Sequence, residues 1–100
     1  METELSLTIS TTAASDLEKI YDYTLEQWSY NQAEKYQDVL FDTMNLFCNR
    51  PEIGKTYESS SRSFRVFLVG KHIMFYLIQD HELLVVRILH VSMLKEHWIA

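Results

Sequence analysis

Hydrophobic and polar positions change period three times along this 100-residue chain. Leu5, Leu7 and Ile9 alternate with Ser6, Thr8 and Ser10, the two-residue period of a half-buried strand. Leu17, Ile20, Tyr21, Thr24, Leu25 and Trp28 then recur at helical spacing. Asp16, Glu18, Lys19, Asp22 and Glu26 form the polar face of this first helix, and Thr11 and Thr12 are its expected caps. The stripe pauses at Ser29-Tyr30-Asn31, where Asn31 with Glu34 resembles a capping box. A second stripe follows through Ala33, Tyr36, Val39, Leu40, Thr43, Met44 and Phe47, ending before Pro51.

So short a joint between amphipathic helices predicts an antiparallel hairpin. Arg50 to Lys55 reads as a turn-rich connection, and Ser59-Ser60-Ser61 as a polar, mobile loop. From Arg62 to His90 three alternating apolar runs are broken only at Gly70-Lys71 and Asp80-His81, the pattern of a three-stranded meander. Its first strand has large apolar groups on both faces and is expected to be central or covered on both sides. The last strand sorts Leu83, Val85, Arg87 and Leu89 from Leu84, Val86, Ile88 and His90. The fold class is α+β: a helical hairpin covering one face of a small, mostly antiparallel four-stranded sheet, in the order β-α-α-β-β-β. Residues 1–100 form a single domain.

Charge changes this picture in one respect. The net charge is −5, but residues 1–60 hold eleven acids against four bases, while residues 61–100 hold five bases against three acids. The overall acidity argues against indiscriminate nucleic-acid binding, and the mild basicity rides on the meander. No apolar run approaches the roughly 20 residues that span a bilayer, so no membrane partner is expected. The acidic start is unlike a signal peptide, and a cytoplasmic location is expected. Cys48 stands alone and reads as a small buried hydrophobe. His81, His90 and His97 lack metal-ligand spacing, and two glycines make no phosphate loop. No cofactor is implied.

The words along these elements resemble the ParE branch of the RelE/ParE toxin superfamily. They are the strand LTIS followed by Ala13, Asp16, Leu17, Ile20, Asp22 and Tyr23; then Ala33, Glu34 and Tyr36; then Asn49, Pro51, Glu52, Ile53, Gly54 and Lys55. R-x-F-x-V-G-K-H-x-x-F-Y from Arg65 to Tyr76 and R-I-L-H from Arg87 to His90 complete the set, over roughly residues 5–93. The resemblance implies a toxin of a type II toxin–antitoxin system that binds the A subunit of DNA gyrase and stabilises its cleaved DNA complex. It also implies a ParD-like ribbon-helix-helix antitoxin, through which alone the complex reaches operator DNA. The superfamily's other branch cleaves messenger RNA on the ribosome, so a RelE-type endoribonuclease is the alternative. An inactive member kept as a binding partner is a third.

Ribonuclease chemistry needs a base, an acid and cations around the phosphate. Arg65, Lys71, His72, Arg87 and His90 are suitable residue types, but the chain lacks the strongly basic surface that gripping RNA favours. No catalytic residue is assigned. Candidate target-contacting residues are Arg62, Arg65, Lys71, His72, Arg87, His90, Met93 and Trp98. Arg65 and Arg87 have an equal claim to a structural role, each lying along its strand and pairing with a carboxylate. His72 is expected at the surface, and His90 as a hydrogen-bonded structural histidine. Candidate antitoxin-contacting residues are Trp28, Tyr30 and Tyr36, although all three sit where core residues are expected. The antitoxin is expected to lay a helix along the hairpin and to add a strand to a sheet edge. The tail from Val91 to Ala100 is the least family-like part, and either folds back on the core or forms part of a protein-binding surface.

Overall fold

The computed structural model describes residues 4–58 and 63–93. Two helices lie on one face of a five-stranded sheet. The elements are β1 (Ser6–Ile9), α1 (Thr11–Gln27), α2 (Tyr30–Asn49), a 3-10 turn (Pro51–Ile53), β2 (Lys55–Glu58), β3 (Ser63–Val69), β4 (His72–Gln79) and β5 (Glu82–His90). Spatial order is β1-β5-β4-β3-β2; β1 pairs with β5 in parallel and every other pair is antiparallel. The connection between the parallel strands β1 and β5 runs through the helical hairpin and then through β2, β3 and β4.

The expected elements form, with one addition. β2 arises inside the stretch read as a connection, pairing Lys55 with Val66 and Glu58 with Ser63. Four polar-rich residues carry no apolar alternation, so only the neighbouring strand's free hydrogen-bonding edge reveals them. β3 consequently lies between two strands. Both helix caps sit earlier than the pattern suggested. Ser10 accepts the Ala13 N–H at 3.0 Å, and Ser29 accepts the Gln32 N–H at 3.1 Å. Gly70 takes φ +59° in the β3–β4 turn and Asp80 takes φ +55° in the β4–β5 turn, a conformation that glycine and aspartate tolerate.

The core forms between the hairpin and one sheet face. Leu17, Ile20, Leu40, Met44 and Phe47 pack on Val69, Met74, Tyr76, Leu83, Val85 and Ile88. Phe47 stacks on Tyr76 with ring centres 4.1 Å apart and meets Phe67 edge-on. Cys48 is buried there, as expected, and burial pushes its thiol pKa up. Tyr76 reaches beyond the sheet: its hydroxyl donates to the Pro51 carbonyl at 2.7 Å and accepts the Gly54 N–H at 2.9 Å. That anchors the turn leading into β2.

One irregularity overturns the expected facing of β5. Phe75 pairs with Arg87 but Tyr76 pairs with Val85, so Val86 is an extra residue. Leu83, Val85 and Ile88 therefore share the helix-facing side, and the strict two-residue sorting fails after Val85. His90, paired with His72, comes to the same side as Ile88.

Candidate functional site

The two arginines on the sheet are held internally. β1 ends opposite Val85, so the rest of β5 has no strand on that edge. Helix α1 supplies the missing partners. Ser10 donates its N–H to Val85 O and its hydroxyl to Val86 O, and Asp16 accepts the Ile88 N–H at 2.9 Å. Arg87 completes the arrangement with a two-point pair to Asp16, Nε to Oδ2 at 2.8 Å and Nη2 to Oδ1 at 3.1 Å. Asp16 was expected on the polar face; it is buried because it caps a strand edge. Its carboxylate raises the Arg87 pKa further above the usual arginine value, chiefly through the hydrogen bond. Arg65 Nη1 donates to Gly54 O at 2.7 Å and Glu52 O at 3.3 Å, bracing the same turn as Tyr76.

The remaining candidates converge. Tyr23, Thr24 and Trp28 from α1, Gln32 and Tyr36 from α2, the Gly70-Lys71 turn, His72 and His90 line a cleft of about 360 Å3. It lies where the joint of the hairpin meets the β3–β4 turn. Trp28 and Tyr30 do not enter the core: they are 72% and 62% exposed. Tyr36 is half-buried and spans the two layers. Its hydroxyl sits 3.1 Å from Val69 O and 2.7 Å from His72 Nδ1. Gly70 leaves room for it; a Cβ there would lie 2.7 Å from the Tyr36 oxygen.

The phenol proton can go to Val69 O or to His72 Nδ1, and the His72 tautomer follows that choice. The partners of His90 settle its own tautomer. Its Nδ1 accepts the Ser92 N–H at 3.1 Å and lies 2.9 Å from the Ser92 hydroxyl, so its proton is on Nε2. The two imidazoles meet edge to face, with ring centres 5.2 Å apart. Burial, and secondarily His90, lowers the His72 pKa to about 4, so His72 is neutral at physiological pH. His72 was expected at the surface and is half-buried instead. His90 is hydrogen-bonded as expected.

The sequence-predicted set thus divides. Lys71, His72 and His90 join Trp28 and Tyr36 in the cleft, Tyr30 stands near the joint, and Met93 is exposed beyond β5. Arg87 takes the structural alternative with a carboxylate partner, whereas Arg65 is held by backbone carbonyls in place of a carboxylate. Arg62 and Trp98 lie outside the described residues, as do the Ser59–Ser61 loop and the tail beyond Met93. Reasoning from sequence did not name Tyr23, Thr24 and Gln32 as site residues, although Tyr23 stands in the family-like motif and Thr24 in the first helical stripe. Among the described residues no group of three or more His, Cys, Asp or Glu is placed to hold a metal, and no helix is long and apolar enough to cross a membrane.

Comparison with known proteins adds the family. The family described as "ParE toxin of type II toxin-antitoxin system, parDE" matches residues 7–95. A protein named Toxin ParE1 from Mycobacterium tuberculosis is 31% identical over 86 residues, covering 85% of this chain and 88% of that protein. Toxin ParE1 from Caulobacter vibrioides is 29% identical over 85 residues, with the same coverage of 85% and 88%. Among solved structures, the chromosomal ParDE system of P. aeruginosa superposes with a TM-score of 0.75 at 19% identity, covering 87% of this chain and 96% of that one. The RelBE2 toxin–antitoxin complex of Mycobacterium tuberculosis gives 0.63 at 19% identity, covering 88% and 99%. At these identities the structural likeness concerns the fold, while the family match spans nearly the whole sequence. The chain belongs to the ParE toxin family of type II toxin–antitoxin systems.

Proposed function

We propose that this toxin acts by gripping a protein target, DNA gyrase through its A subunit, and stabilising the cleaved DNA complex without catalysis of its own. The observation that carries the reading is the fate of the cations. Arg87 is paired with Asp16 and Arg65 is spent on two carbonyls, so neither stands ready for phosphate charge. His72, with its pKa near 4, is a weak base at neutral pH, and its Nδ1 is engaged by Tyr36. Exposed Trp28, Tyr23 and Tyr30 beside the cleft are residue types favoured in protein interfaces.

A ParD-like antitoxin with a ribbon-helix-helix domain neutralises the toxin in this reading and brings the complex to operator DNA. The chain then works in the cytoplasm, where gyrase is. Because Trp28 and Tyr36 share one cleft with Lys71, His72 and His90, bound antitoxin covers part of the target-facing surface. Purified toxin is expected to inhibit gyrase supercoiling and to raise gyrase-dependent DNA cleavage, with both effects reversed by antitoxin. Unaffected gyrase at micromolar folded toxin refutes the proposal. Codon-biased transcript cleavage in expressing cells would establish the ribonuclease instead.

A further inference from the structure

A groove of about 470 Å3 lies against α1 and α2 and shares no residue with the cleft. Its apolar lining comes from Ile9 at the end of β1, Leu17 on α1 and Phe41 on α2. Leu17 belongs to the core, while Ile9 and Phe41 pack against it and stay partly exposed. Glu18 and Asp22 line the same groove one helical turn apart, both exposed. Like charges at this spacing repel, and no Lys, Arg or His lines the groove to offset them. Among the described residues neither carboxylate enters an ion pair. Gln37, also in the lining, has its Oε1 buried without a hydrogen-bond partner. The groove is therefore short of an apolar cover, a cation and a donor at once.

We propose that this groove receives an arginine or lysine side chain from a basic polypeptide segment, with apolar neighbours of that residue covering Ile9 and Phe41. The aliphatic stem lies on the apolar lining, and the cationic head, which carries only donors, meets Glu18 and Asp22. Tyr21, tied to Glu34 of α2 by a 2.6 Å hydrogen bond, supplies a fixed aromatic wall. Charge selects this occupant. α1 and α2 carry seven acids against two bases, which repels a nucleic-acid backbone. Among the described residues no group of three ligating side chains is placed to hold a metal ion. A small polycation would meet the carboxylates but leave the apolar lining uncovered. Because the groove and the cleft share no residue, the inference stands independently of the gyrase reading.

The test titrates the whole isotope-labelled toxin with three blocked tripeptides, in which leucines flank an arginine, a glutamine or a glutamate. The arginine peptide should shift the Phe41 ring and Gln37 side-chain amide resonances saturably in the millimolar range. The glutamine peptide should bind about fivefold more weakly, the worth of one exposed ion pair of about 1 kcal/mol, and the glutamate peptide should not bind. Glu18→Gln and Asp22→Asn, both at exposed positions, should each reduce the preference for arginine and together abolish it. Glu26→Gln removes the same charge from α1 outside the groove and should leave the preference intact. Equal loss in all three variants reduces the effect to net charge and overturns the proposal, as does equal binding of the arginine and glutamine peptides. Tighter binding of spermidine overturns it in favour of a small polycation. Self-association of the toxin in sedimentation, lost in the double variant, overturns it in favour of a second copy of this chain.

Discussion

Replacing Asp16 by alanine separates a strand-edge cap from an ordinary surface ion pair. Asp16 is 8% exposed and accepts three hydrogen bonds, two from Arg87 and one from the backbone of Ile88. Its removal leaves the Ile88 N–H unpaired at a position 2% exposed, which costs about 1–3 kcal/mol. The Arg87 side chain is 42% exposed, so solvent screens its half of the pair and that contact contributes about 1 kcal/mol. Asp16→Ala should therefore cost about 3 kcal/mol, and Arg87→Ala about 1 kcal/mol, because the Ile88 bond survives in the second variant. The double variant should lie close to Asp16→Ala alone, with a coupling of about 1 kcal/mol. Urea unfolding followed by circular dichroism reads these differences as midpoint shifts at constant slope. Two single variants of equal, small cost, adding without coupling, would show that Asp16 does not close the β5 edge.

Other expectations concern the anchors and the cleft. Tyr76→Phe strands the Gly54 N–H and the Pro51 carbonyl and should cost about 1–3 kcal/mol, read by thermal or urea unfolding. An unchanged midpoint would remove Tyr76 as the anchor of that turn. His72 has its folded pKa lowered to about 4 from an ordinary value of 6.5, so the unfolded chain binds the extra proton first. Its stabilising contribution is complete above the unfolded pKa and is lost as pH falls from about 6.5 to about 4; His72→Gln should flatten that part of the stability–pH profile. Trp28→Ala should change stability by less than about 0.5 kcal/mol, because the side chain is 72% exposed, yet weaken antitoxin binding about tenfold in titration calorimetry.

How much could be read in advance differs between elements for physical reasons. The helices, β1 and the three meander strands announce themselves because each buries one face, and burial imposes a period on apolar residues. β2 escapes because an edge strand of four residues needs only a neighbour's backbone, and Lys55, Thr56 and Glu58 carry no burial signal. The helical stripe ran on to Trp28 because periodicity marks a face, not where the opposing sheet stops. Asp16 resembled its solvated neighbours Glu18 and Lys19, since nothing local distinguishes a carboxylate that will meet a strand edge 72 residues away.

By itself the sequence determined the α+β class, the hairpin over an antiparallel meander and the ParE family, because periodicity, turn residues and motif order are local properties of the chain. The tertiary structure decided which of its cations are free. Asp16 and two backbone carbonyls claim Arg87 and Arg65, and a single extra residue at Val86 sets His90 beside His72. Those outcomes depend on hydrogen-bond partners far apart in the chain and on a bulge that breaks the two-residue period. For that reason the cationic meander became a scaffold, and the cleft at the end of the hairpin became the candidate site.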